Sequence, residues 1–230
     1  MESSTSPLSL KIDQPPQTLR EIAVDRLRKA ILDGHFKSGD RLVERTLCDQ
    51  MGVSRTVIRE TLRYLEAEGL VEIQPNRGPI VARLDPDQAR QIYNIRRLLE
   101  ADAARDCARR ADAAVKLKLR TALMQLEVAY ADPQPGVLTH ATTEFYQAIF
   151  GAAGHDIAWE VVRRLNGRIS RLRAMTLSTT DRHRSGFAHM TSICEAILEN
   201  DAEAAAAAVS AHIDEASAIA ERLLRAESEQ

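Results

Sequence analysis

The stretch Gly52-Val-Ser-Arg-Thr-Val-Ile-Arg-Glu-Thr-Leu-Arg63 constrains the fold more than any other part of the chain. Gly52 allows a tight turn, and Ser54 suits the N-cap of a helix running to about Glu68, because its hydroxyl can accept from an orphan first-turn amide. Ile58, Leu62 and Leu65 then form an apolar stripe, while Arg55, Arg59 and Arg63 recur at every fourth residue on the adjoining face. Such a helix must lie on a small core and show its arginines outward. Its flanks supply that core. Thr18-Leu-Arg-Glu21 is a capping-box pattern, followed by Ile22, Ala23, Leu27, Ala30 and Ile31 at helical spacing and stopped by Gly34. A Gly39-Asp40 turn leads into an extended piece, Arg41 to Val43, and Glu44 to Met51 is a short second helix with Leu47, Cys48 and Met51 inward. Beyond the arginine helix, Leu70 to Gln74 and Pro79 to Ala82 are rich in β-branched residues and flank Pro75-Asn-Arg-Gly78, a hairpin signal. Three helices and a two-stranded wing therefore occupy residues 17–84, after a disordered arm over residues 1–16.

From Asp85-Pro86 onward every segment has helical spacing, with Asp85 as cap and Pro86 at the first position, where its missing N–H costs nothing. Apolar positions define six helices: Ile92 to Cys107, Leu119 to Leu126, Leu138 to Ile149, Ile157 to Leu172, Met190 to Ile197, and Ala202 to about Arg225. Pro133 to Gly136 close the second, and Gly151 and Gly154 the third. Aromatics are only 4% of the chain, which favours helices packed through aliphatic side chains. The expected fold is mainly α: a winged helix-turn-helix, then a six-helix antiparallel bundle over residues 85–230.

Several classes are disfavoured. No apolar run approaches the ~20 residues that span a bilayer, and the N-terminus lacks the basic-then-apolar pattern of a secretory signal. Cys48, Cys107 and Cys194 are far apart and odd in number, so a disulfide framework is not expected and a reducing cytoplasm fits. The sequence carries no G-x-S-x-G, H-E-x-x-H, P-loop or G-x-G-x-x-G. Asp102 and Asp106 are one helical turn apart, but Arg105, Arg109 and Arg110 surround them, which describes a solvated charged face rather than a catalytic pair. No enzyme activity and no cofactor are expected. Net charge is −2, so any nucleic-acid binding must come from a local basic surface.

The arginine helix provides one. A helix fixed by one stripe and presenting guanidinium groups on the next suits the major groove, where arginine grips guanine O6 and N7 or clamps a phosphate. Ser54 and Thr56 sit at its N-terminus, where hydroxyls, free amides and the dipole favour phosphate. The bland alternative, a solvated face on an ordinary helix, is weakened by the short helix, glycine turn, capped helix and wing occurring in that order.

Glu44-Arg-Thr-Leu, Gly52 to Leu62, Leu65-Glu-Ala-Glu-Gly-Leu-Val71 and Asn76-Arg-Gly78 resemble the GntR-family winged helix, and the helical remainder is similar to the FCD domain of that family's FadR subfamily. The resemblance covers about residues 17–225. It implies a cytoplasmic homodimer on a palindromic DNA operator, repressing nearby genes until a small effector arrives. Carried over position by position, it puts DNA contacts at Arg45, Ser54, Arg55, Thr56, Arg59 and, at the wing tip, Gly78.

Many FCD domains hold a divalent metal through an aspartate and three histidines. In this sequence those positions fall on Thr142, Tyr146, Met190 and His212, so one ligand of four is present. His189 neighbours one of them, but one residue along a helix turns a side chain by about 100°. His183 lies near the start of the same helix, a place for capping or solvent exposure. No metal is expected, and Tyr146, Met190 and His212 either line a metal-free pocket or merely pack. Arg96 matches an arginine that faces the FCD cavity and can pair with an effector carboxylate; an internal ion pair with Glu100, four residues on, is the alternative. The expected partners are double-stranded DNA, a small carboxylate-type effector and a second copy of the chain, with no membrane. A constitutive DNA binder whose helical domain only dimerises is the competing reading.

Overall fold

The computed structural model describes residues 18–131, 135–177 and 180–228. The expected arm at residues 1–16 and part of the Pro133–Gly136 closure lie outside the described residues.

Helix α1 (Leu19–Leu32) starts at a completed capping box: the Thr18 amide donates to Glu21 Oε2 at 2.8 Å, and the Glu21 amide to Thr18 Oγ1 at 3.2 Å. Helix α2 (Glu44–Met51) ends at Gly52, whose φ of 66° is the left-handed conformation that turns the chain toward α3 (Arg55–Ala67). Ser54 caps α3, accepting from the Val57 amide. Strands β1 (Val71–Gln74) and β2 (Gly78–Val81) pair antiparallel with Val71 opposite Val81, and Arg41 adds an isolated bridge to Ile80. Leu27, Leu42, Leu47, Ile58, Leu65, Leu70 and Val81 close a first core among these elements.

A second, larger core runs from Leu84 to Leu224. It is built by α4 (Pro86–Arg110), α5 (Ala113–Ala131), α6 (Pro135–Ala153), α7 (Asp156–Arg164), α8 (Asn166–Leu177), α9 (Thr180–Leu198) and α10 (Ala202–Ser228). The described residues of this part hold seven helices, not six. The expected helix from Ile157 to Leu172 is broken at Leu165, whose amide reaches back to both Val161 and Val162 carbonyls. The apolar rhythm hides the break, because the Ile169 amide still bonds the Leu165 carbonyl at 2.9 Å and the phase carries through the bend. A long-range contact accompanies it. A Cβ at Gly167 would stand 2.3 Å from the Glu68 carbonyl oxygen, so α8 begins directly against the C-terminal cap of α3.

Candidate nucleic-acid interface and interior cavity

The core under α3 buries Ile58, Leu62 and Leu65 and leaves Arg55, Thr56, Arg59 and Arg63 exposed. Arg45 is exposed on α2. Ser54 spends its hydroxyl on the cap, which leaves other first-turn amides of α3 free to meet an anion. Arg59 does not stand free: its Nε donates to both Glu44 carboxylate oxygens, at 3.0 and 3.1 Å. That pair is well exposed and costs little to exchange for a phosphate or base. At the hairpin, Asn76 and Gly78 adopt positive φ, 64° and 80°, and present Arg77 to solvent at the tip. Gly78 has no side chain to bring to DNA; its part is conformational. Arg77 was not singled out as a contact from sequence, although its place between two turn-forming residues could have flagged it.

The bundle interior holds a second polar cluster. Arg96, Thr142 and His212 line a cavity together with Tyr93, Tyr130, Arg173 and Thr176. Its central free space is about 10 Å³, room for one water-sized group. Tyr146 is buried beside it, with its ring 6.5 Å from that of His212. Met190 is fully buried in the core but does not line the cavity.

Arg96 takes the internal partner: Nε donates to Glu100 Oε1 at 2.7 Å and Nη2 to Oε2 at 3.2 Å, with both residues buried. Burial disfavours the Arg96 charge, yet Glu100's charge and hydrogen bonds outweigh it and raise the guanidinium's pKa. Arg173 has the opposite fate. Burial first, then repulsion from Arg96, lowers its pKa to about 10. Its Nη1 is sealed from solvent and has no hydrogen-bond partner among the described residues, and the same holds for the Tyr146 hydroxyl. Tyr146 is held protonated, by burial and then by the nearby Glu100 charge. Sequence reasoning passed over Arg173, although it lies four residues after Ile169 and three before Thr176, on the face that packs inward.

His189 Nε2 pairs with Glu215 at 3.0 Å, and its ring lies 5.7 Å from that of His212. Among the described residues no three His, Cys, Asp or Glu side chains converge as a metal site. The His183 side chain lies outside those described. Asp102 and Asp106 are engaged by Arg105, Arg109, Arg110 and His155. No helix among the described residues is long and apolar enough to cross a membrane.

Comparison with known proteins matches the two parts of the chain to two family descriptions. Residues 19–81 match the family described as bacterial regulatory proteins, gntR family, and residues 91–215 match the FCD domain. An HTH-type transcriptional regulator from an unstable DNA locus of Streptomyces ambofaciens is 29% identical, over 82% of this chain and 79% of its own. The HTH-type transcriptional repressor RspR of Escherichia coli K12 is 25% identical, over 88% and 89%. Among solved structures, a transcriptional regulator GntR from Rhodococcus sp. RHA1 superposes with a TM-score of 0.70 at 25% identity, covering 86% of this chain and 95% of that one. Escherichia coli McbR/YncC superposes with a TM-score of 0.74 at 19% identity, over 90% and 99%, a likeness of fold.

Proposed function

Since the chain belongs to the GntR family of bacterial transcription regulators with an FCD domain, we propose that it represses transcription from a palindromic operator and is released by a small anionic effector held in its bundle. The observation that carries the DNA-binding half is α3, with its apolar side buried in the first core and Arg55, Arg59 and Arg63 exposed beside the wing. Arg45, Arg55, Thr56 and Arg59, with the α3 N-terminus after Ser54 and the turn at Gly78, form the proposed contact surface. Glu44 holds Arg59 through Nε until DNA competes for the side chain.

The effector half rests on the cavity with Arg96, Thr142 and His212, and on Tyr146 beside it. The repressing sign follows the similarity to RspR. A ligand shifts the spacing of two winged domains only if it binds the two arrangements unequally. The narrowness of the cavity favours a second reading, constitutive DNA binding with a helical domain that only dimerises. A metabolite at 100 times its dissociation constant adds roughly 2.7 kcal/mol to stability, so the absence of any thermal shift across a metabolite panel selects that second reading.

The DNA-binding half is tested by selecting bound fragments from genomic DNA and titrating them at fixed salt. Arg55→Ala and Arg59→Ala each cost roughly 1–3 kcal/mol of specific affinity where the contact is bidentate to a base. Operator affinity unchanged in both variants overturns the assignment.

A further inference from the structure

The bundle interior contains two arginines and one carboxylate in mutual reach. Glu100 spends both oxygens on Arg96. Arg173, half-buried as a whole, is left as a cation with no carboxylate within ion-pairing distance among the described residues, and its Nη1 is enclosed without a hydrogen bond. The Tyr146 hydroxyl is enclosed in the same interior without a well-formed hydrogen bond: it lies near Glu100, whose two oxygens are already held by Arg96, and close enough to feel the charges of both Arg96 and Arg173. An unmatched charge held partly out of water is costly, and so is each unmade buried hydrogen bond. One added negative charge with two acceptor oxygens answers both deficits.

We propose that Arg173 is the principal anion-binding group of this interior, taking the carboxylate of a monoanionic ligand together with the Tyr146 hydroxyl, while the Arg96–Glu100 pair shapes the site and keeps its net charge at one positive. This rests on the effector reading above and narrows it to ligands with a single negative charge. A dianion would leave one charge unmatched against Glu100. The free space holds one water-sized group, so a carboxylate larger than that enters by displacing α8, the wall that carries Arg173 and Thr176. The same helix starts against the Glu68 carbonyl just past the end of α3.

The test uses the full chain and sodium acetate as probe, with sodium chloride at matched ionic strength as reference. Wild-type protein is expected to show a saturable rise in melting temperature with acetate. Arg173→Met loses that rise, Arg173→Lys keeps part of it, and Tyr146→Phe weakens acetate by about tenfold, as for loss of one hydrogen bond to a charged group. If Arg173→Met does not fold, Arg173→Gln, uncharged but still polar, replaces it. A wild-type protein blind to acetate, or a rise that survives in the neutral Arg173 variants, overturns the proposal. Binding of wild-type protein to genomic fragments is scored separately. Its failure removes the regulator reading, whereas an acetate response indifferent to Arg173 removes only this assignment.

Discussion

At the scale of single residues, the interior is governed by how three charges are matched. Arg96 and Glu100 form a buried bidentate pair, and removing one member strands the other. Arg96→Met is therefore expected to cost about 3–5 kcal/mol, whereas the double variant Arg96→Met/Glu100→Leu recovers most of that loss. Denaturant titrations of both single variants and the double close the cycle; additive losses would show that the pair is not coupled. Truncating Arg96 thus perturbs stability before it reports on any ligand. The cysteines follow from burial in the same way. Burial pushes the Cys107 thiol up to about 12 and Cys194 up to about 11, while Cys48 is only partly buried. At pH 8 a thiol of pKa 12 is thiolate in roughly one molecule in ten thousand. Iodoacetamide on native protein should label Cys48 alone and reach the other two only after denaturation. Early labelling of Cys107 contradicts that burial.

At the scale of elements, a close backbone approach joins the C-terminal cap of α3 to the start of α8. Arg28 on α1 donates Nε and Nη2 to the two Glu68 carboxylate oxygens at 3.0 Å each, and Gly167 sits on the Glu68 backbone. An alanine at position 167 cannot keep that contact, because 2.3 Å from Cβ to a carbonyl oxygen is far inside van der Waals distance. Gly167→Ala must displace α8 from α3. Hydrogen exchange of peptides covering residues 62–74 should accelerate, with little change in peptides from α5. Unaltered exchange there would mean that the junction transmits nothing. The extra helix has its use here: the break at Leu165 starts α8 where Gly167 meets Glu68. Periodicity could not show this, since the apolar rhythm runs through the bend unchanged.

At the scale of the whole molecule, large apolar side chains are exposed on several helices among the described residues, two of them neighbours. On α4, Ile95 and Leu98 are exposed, Leu98 by 68%; on the neighbouring α7, Ile157 is exposed by 74% and Val161 by 41%. A homodimer that used these side chains as its interface would bury them against the same face of a second copy. Leu98→Asp with Ile157→Asp is expected to shift the protein to monomer in sedimentation at micromolar concentration and to abolish binding to a palindrome while sparing thermal stability. A dimer that persists would move the interface elsewhere.

Local rules made much of this molecule legible. The Thr18–Glu21 capping box, the Gly52 turn, the Ser54 cap, the hairpin and Asp85-Pro86 each act within a few residues, and all stand where the chain writes them. The arginine stripe on α3 was legible for the same reason, because helical geometry alone sets which side chains share a face. Three matters lay beyond that range. Whether Arg96 pairs inside the fold or reaches a ligand depends on which rotamer the packed bundle allows. That Arg173 is left unmatched depends on Glu100 from another helix, seventy-three residues earlier, being already committed. That α8 begins on the cap of α3 depends on a backbone contact between positions 68 and 167, which leaves no trace in any local pattern. Short-range hydrogen bonding and periodicity are properties of a segment. Charge balance in a closed interior and the approach of one backbone to another are properties of the assembled chain, and only the folded arrangement sets them.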